Sequence, residues 1–236
     1  CETIGCRRRP LLEYFGETLA APCGNCDNCL QPPTTWDAFR QSKCGKACFE
    51  ELQHLHGERC VYSDHSPGRT IDHVKAKATK PAEMLKWSNW LLACGDCNRD
   101  KGNHAGLVNP LAHDPRDSIQ FTLVTGKPGA IGQGATRKRG VKTLSHIRLD
   151  QETFNEARKA RVLEAMDAIQ AFLAGQLSQV ELMAEFHRSK SNRAILRDLL
   201  LEQNPVLNPY QKLVNQVVAQ VPALQQWATD PLQHGG

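Results

Sequence analysis

The chain has 236 residues, 40% of them apolar, with 29 Lys+Arg against 25 Asp+Glu and a net charge of +4. That composition excludes wholesale disorder, and the length fits one or two domains. No stretch approaches the roughly 18 uninterrupted apolar residues of a membrane span, and there is no signal-peptide core, so the expectation is a cytoplasmic protein without a membrane partner.

Ten cysteines, at 1, 6, 23, 26, 29, 44, 48, 60, 94 and 97, are the unusual feature. A disulfide scaffold spreads its cysteines through a small secreted domain, whereas here they stop at Cys97. Cys-x2-Cys steps at Cys23/Cys26, Cys26/Cys29 and Cys94/Cys97 let a tight turn present two thiolates to one ion, so an intracellular zinc protein is expected. A redox pair at Cys94–Cys97 would need a thioredoxin-like context that the sequence lacks. The opening at Cys1, directly before ligand-rich sequence, suggests a chain cut from something longer.

Residues 1–36 combine five cysteines with a helical pattern from Arg7 to Phe15. Cys6, Cys23, Cys26 and Cys29 form a self-sufficient tetrathiolate set, with Gly and Asn in "PCGNCDNC" permitting the turns. Arg7, Arg8 and Arg9 beside it serve either to offset thiolate charge or to touch phosphate. "CRRRPLLEYFGE" and "PCGNCDNCLQPPTTWD" resemble the zinc-binding subdomain of RecQ-family DNA helicases. The resemblance covers about the first 37 residues. It implies a structural zinc module that supports DNA binding; helicase activity is not carried over with it, since these residues hold no phosphate loop or DEAD/DEAH-like box.

A helical stretch is expected from Trp36 to His56. Its Cys44 and Cys48, spaced as helix neighbours, read either as extra metal ligands or as buried unliganded thiols. "TIDHV" can form a strand that points Asp72 and His73 in different directions. "WSNWLL" carries Asn89 on a loop or turn between Trp87 and Trp90, which read as core anchors or stacking platforms. "CGDCNRDKGN" begins a helix with Asn98 after the second thiolate and Lys101 about one turn later. Phosphodiester hydrolysis needs an activated water and stabilisation of developing negative charge. His73 suits a general base, Asn89 suits positioning of the imidazole or its loop, and Asp72 with Asn98 offers hard oxygens for Mg²⁺ or Mn²⁺.

"DH" at 72–73, Asn89 and "CxxCNxxKG" from Cys94 to Gly102 resemble the HNH endonucleases and their ββα-metal fold. The resemblance implies His73 as base, Asn89 as positioning residue, and Asp72 with Asn98 at a catalytic divalent ion. Asn98 stands where the family often has His, and His104 lies outside the motif. The order of "CVYSD", "IDHVKAK", "WSNWLLACGDCNRDKGN", "LVNPLAHDPRDSIQF" and "TLSHIRLDQETFNEAR" is similar to that of HNH proteins from bacterial anti-phage systems of the Septu and retron type, which implies an ATPase partner. Such relatives often carry Cys-x-Tyr-Cys upstream, but this chain reads Cys60-Val61-Tyr62-Ser63. Cys60, Cys94 and Cys97 are therefore left as three ligands of a structural zinc, with Asp64 or His65 as the expected fourth.

Beyond the core, "IQFTLVT" at 119–125 reads as a short strand, followed by a glycine-rich basic loop, "GKPGAIGQGATRKRG". Lys75, Lys77, Lys101, Arg137, Lys138 and Arg139 are the expected nucleic-acid contacts, suited to phosphate rather than base readout. Val162, Met166, Ile169 and Leu173 mark one face of a helix within Gln151–Leu173. Ser178 and Glu181 form a capping box for the next helix, with Val180 and Met183 on its apolar side. Leu213, Val214, Val217, Val218 and Val221 define a last helix, ending before Pro222.

The expected fold is α+β and mainly helical. It comprises a zinc module at 1–36, a ββα-metal nuclease domain at 37–150 and a helical extension at 151–236. The expected function is a metal-dependent DNA endonuclease, with one or two structural zinc sites. The alternative is a non-catalytic zinc module that binds DNA or protein.

Overall fold

A computed structural model describes residues 35–229, apart from 111, 189 and 190, together with residues 18 and 21. The tetrathiolate set at Cys6, Cys23, Cys26 and Cys29, the arginines at 7–9 and the helix expected from Arg7 lie outside the described residues.

The helical stretch expected from residue 36 is two helices, α1 (Trp36–Gln41) and α2 (Lys43–Leu55). Ser42 breaks it. Its extended backbone ends α1, and its Oγ accepts from the Gly45 amide to cap α2. The strands β1 (Thr70–His73) and β2 (Trp90–Ala93) pair antiparallel, with His73 opposite Trp90 and Thr70 opposite Ala93. Helix α3 (Gly95–Lys101) follows at once, N-capped by the Cys94 sulfur, and packs on β1. This hairpin and helix form the ββα unit. Trp90 and Leu92 face Phe39, Cys44, Cys48 and Leu52 of α1 and α2. Cys44 and Cys48 thus belong to this apolar cluster, and not to the one holding the other described cysteines.

The strand expected over 119–125 is shorter. Only β3 (Ile119–Phe121) is extended, pairing with β4 (Pro128–Ala130), and residues 122–125 form the hairpin loop. Gly126 closes it at φ +69°, where a Cβ would lie 2.1 Å from the Asn155 carbonyl oxygen. The basic loop is corrected more substantially, since Gly134–Ile147 is a helix, α4. Its Gly140 is a packing residue, because a Cβ there would meet the Ser118 carbonyl oxygen at 2.2 Å. Thr143 and Ile147 complete its buried face, and the Thr143 hydroxyl accepts from the Val108 amide at 2.8 Å.

The remaining helices are α5 (Glu152–Leu173), α6 (Gln179–Arg188), α7 (Arg193–Leu201), α8 (Gln211–Gln220) and α9 (Pro222–Thr229). Val162, Met166 and Ile169 join Leu182, Phe186, Leu196, Val217 and Trp227 in their shared core, and Leu173 packs against it. The Ser178–Glu181 capping box forms in both directions. Val180 is corrected: it is 78% exposed, and Leu182 and Phe186 turn inward instead. The helix expected to end before Pro222 does so, at Gln220, but it is not the last, since Pro222 opens α9, where its missing amide hydrogen costs nothing. Among the described residues no helix is long and apolar enough to cross a membrane.

Asp64 joins the helical part to the ββα part. Its carboxylate accepts from the Ala194 amide at 3.0 Å, and its carbonyl oxygen accepts from the Asn192 amide. It therefore caps α7 across 130 residues of chain. Asp64→Ala is expected to cost about 1–2 kcal/mol, the usual value of a helix cap, with Asp64→Asn recovering part of it in denaturant unfolding.

Candidate active site and metal centre

β1 divides the expected site residues between its two faces. Thr70 and Asp72 face α3, while His73 faces Trp36 and Met84. Asp72 is 3% exposed and holds a partner on each oxygen: the Lys101 ammonium at 2.9 Å on Oδ1 and the Tyr62 hydroxyl at 2.6 Å on Oδ2. Burial pushes the Asp72 carboxyl above its usual range, and the Lys101 charge pulls it back. Lys101 also donates to the His73 carbonyl oxygen and is 2% exposed. Its expected nucleic-acid contact is therefore corrected, because its charge is spent inside the ββα unit.

The Asn98 side-chain amide donates to Thr70 Oγ1 at 3.0 Å and to the Ile71 carbonyl oxygen at 3.3 Å, fastening α3 to β1. The residues expected to hold Mg²⁺ or Mn²⁺ do not fit that ion as arranged. Asp72 is buried with a partner on each oxygen, and the Lys101 ammonium 2.9 Å from Oδ1 already neutralises the charge that a divalent ion would need.

His73 is 4% exposed. One ring nitrogen, Nε2, lies 2.9 Å from the Met84 carbonyl oxygen, which also accepts from Trp90 Nε1. A carbonyl accepts only, so Nε2 carries the proton and Nδ1 keeps the basic lone pair. Burial lowers the imidazole from 6.5 to about 4, with the Lys77 and Lys101 charges adding to the fall, so it is neutral at neutral pH. The Trp36 ring meets it edge-on with centroids 4.5 Å apart, and the Lys77 ammonium lies 5.0 Å over that indole.

Asn89, 3% exposed, engages the loop and not the ring. Its Oδ1 accepts from the Lys75 amide at 2.7 Å, and its Nδ2 donates to the carbonyl oxygens of Lys75 and Glu83. The amide closes the 74–88 connection on itself, which sets the Met84 carbonyl under His73. Trp87 and Trp90 pack with Trp36 and Phe39 as core anchors. His104 stacks on His146 of α4, centroids 3.7 Å apart.

On the other side of α3, Cys60, Cys94 and Cys97 bring their sulfurs within 4.8 Å of one another, all buried and none in a disulfide. Hydrogen bonds from Cys60 and then Cys97 hold the Cys94 thiol well below its usual range. Cys60 is pushed up by its bond to Cys94, and Cys97 by its bonds to Cys60 and Cys94, with burial adding to both. Three sulfurs this close cannot all be thiolates unless a cation lies among them, so the donor set fits a thiophilic metal ion. The two expected fourth ligands are corrected. Asp64 caps α7, and His65 lies against Phe154 and Asn192, so neither joins the sulfur cluster.

Of the remaining basic residues, Lys75, Lys77, Arg137 and Lys138 are exposed, and Arg139 is half-buried on α4. Lys75 faces Glu83 at 3.8 Å, and Arg137 donates to the Ala130 carbonyl oxygen. Tyr62, Met84 and Trp36 were not expected at the site. No sequence signal marks a backbone carbonyl, although Tyr62 stands within the "CVYSD" segment.

The RecQ zinc-binding family matches residues 1–30, and the HNH endonuclease family matches residues 58–104. The ATP-dependent DNA helicase RecQ of Haemophilus influenzae is 34% identical over 77 residues, which cover 27% of this chain and 12% of the helicase. The corresponding helicase of Pasteurella multocida is 56% identical over 38 residues, 16% of this chain and 6% of its own length. The chain thus spans only a small part of the length of the curated relatives it matches. No solved structure matches it significantly. The chain carries an HNH endonuclease domain and an N-terminal segment like the RecQ zinc-binding module.

Lys101→Met leaves the Asp72 carboxylate buried without its cation. The expected loss is about 3–5 kcal/mol in denaturant unfolding, with much of it recovered in the Asp72→Asn, Lys101→Met double variant.

Proposed function

We propose that this protein hydrolyses phosphodiester bonds in DNA, with His73 as general base. The observation that carries the reading is the neutral imidazole of His73, held by the Met84 carbonyl, in a hairpin–helix unit that matches the HNH endonucleases. With Nε2 protonated, Nδ1 takes a proton from a water and so generates the attacking hydroxide. Asn89 acts one step away: by closing the loop it fixes the carbonyl that orients the ring. Lys75, Lys77, Arg137, Lys138 and Arg139 supply phosphate contacts, which suit backbone binding over base readout.

Cys60, Cys94 and Cys97 hold a structural zinc, joining the 60–63 turn to the start of α3 in a segment with little core of its own. The cysteines at 6, 23, 26 and 29 hold a second one. Mg²⁺ or Mn²⁺ supplies charge neutralisation at the scissile phosphate in an HNH site. In this chain Asp72 is held by Lys101, so its carboxylate serves the ββα unit and not that ion. The order of segments shared with HNH proteins of anti-phage systems supports a role in such defence beside an ATPase.

A second reading, a non-catalytic zinc-stabilised module that binds DNA or protein, is favoured by the cover of Trp36 over His73. Plasmid cleavage separates the two. With Mg²⁺ or Mn²⁺ added, the parent is expected to nick or linearise DNA, and His73→Ala to lose at least about a hundredfold in rate, within the range of a general base, with its circular dichroism and zinc content kept. Equal cutting by both proteins would overturn the assignment of His73. The acid limb of kcat/KM is expected near pH 4, where His73 protonates, and not near 6.5, because only the neutral ring accepts a proton.

A further inference from the structure

A general base has to meet both a water and the phosphodiester which that water attacks, yet the His73 ring is almost wholly covered. Two contacts divide the work on its face of β1. The Met84 carbonyl oxygen holds Nε2, and the Trp36 indole stands edge-on to the ring, with planes at 78°. The first contact orients the base. The second shuts it in.

The two are held with different firmness. The Met84 loop is closed by the Asn89 amide, and its carbonyl oxygen also accepts from Trp90 Nε1. Trp36, by contrast, stands at the first position of α1 and is partly exposed. Helix α1 is anchored at its other end, where Phe39 is fully buried. The Phe39 carbonyl oxygen lies so close over Gly45 that a Cβ there would be 2.0 Å from it. The indole can therefore turn about its own side-chain bonds while the helix keeps its place. Besides its ring contacts with Phe39 and Trp90, at 5.6 and 5.7 Å, the indole is held by the Lys77 ammonium 5.0 Å over it. Lys77 is exposed and is one of the phosphate contacts assigned above.

We propose that Trp36 and Lys77 form a latch over His73, which the phosphate backbone of DNA releases. An exposed ammonium gains little from an indole face, whereas a phosphate oxygen offers it a stronger, charge-assisted hydrogen bond. A strand arriving at the site draws Lys77 off the ring, and Trp36 turns out of its edge contact. The imidazole then opens to water only when a phosphodiester lies beside it, and in the free protein the base is idle. The inference rests on the assignment of His73 as general base, but its test needs no cleavage.

Diethyl pyrocarbonate acylates neutral imidazoles, and peptide mass spectrometry of the full chain reads each histidine separately. The exposed His54 serves as the internal reference. Without DNA, Trp36→Ala is expected to raise the His73-to-His54 rate ratio at least about tenfold, as for an open form populated at about 10% or less. Lys77→Gln, a surface change, is expected to raise it roughly two- to fivefold, the range of an exposed cation–π contact, and keeps the test open should Trp36→Ala disturb the aromatic cluster. A duplex oligonucleotide, with no Mg²⁺ or Mn²⁺ added, is expected to change the tryptophan fluorescence of the parent and to change that of Trp36→Phe much less. An unchanged acylation ratio in both variants would overturn the latch, and an unchanged parent fluorescence at saturating oligonucleotide would overturn its release by DNA. Faster acylation in the variants with no cleavage by any of the proteins would keep the latch and remove the nuclease reading. Cleavage by the parent with unchanged acylation would do the reverse.

Discussion

The buried pair of Asp72 and Lys101 governs the arrangement of the ββα unit. A carboxylate 3% exposed and an ammonium 2% exposed must each find a partner, since either one alone inside the protein carries an uncompensated charge. Their meeting at 2.9 Å joins β1 to the end of α3, and the bond from Lys101 to the His73 carbonyl oxygen adds a second tie to the same strand. With Asp72 committed to α3, the two-residue period of a strand sends the next side chain to the opposite face. His73 is placed by that alternation as much as by its own contacts.

On that opposite face the imidazole meets a wall of aromatic rings. Trp90, Trp36, Trp87 and Phe39 supply the low-dielectric surroundings that hold His73 neutral, and the Met84 carbonyl selects its tautomer. The loop that carries Met84 has little apolar core, and Asn89 compensates through three hydrogen bonds to its backbone. One buried amide thereby does for the loop what several apolar contacts would do elsewhere. The same polar economy recurs at Asp64, whose carboxylate serves a helix 130 residues away and orients the C-terminal bundle against the turn that bears Cys60 and Ser63.

The sulfur cluster sits in an apolar setting of Leu107, Val108, Ile119, Ile147 and Leu149. Two turns converge there, one from the segment before β1 and one from the start of α3. A thiophilic ion held between them would join the ends of the ββα unit, while Asp72 and Lys101 tie β1 to α3. α4 closes over the cluster through Ile147 and Thr143, which explains why the basic stretch folds as a helix and not as a loop. Its glycines look like loop formers in sequence, but Gly140 is there to admit the Ser118 carbonyl.

Chemical identity and short-range spacing were legible in the chain: the Cys94–Cys97 step, the adjacent Asp72 and His73, the capping box at Ser178, and the apolar stripe of Val162, Met166 and Ile169. Each depends on residues a few positions apart, whose relation local geometry sets. The partners across the fold were not legible. That Lys101 turns inward to Asp72, that Asp64 caps α7, and that Trp36 covers His73 are contacts between distant segments. They follow from which buried charges and apolar surfaces must satisfy one another once the chain is folded, and no local pattern encodes that pairing.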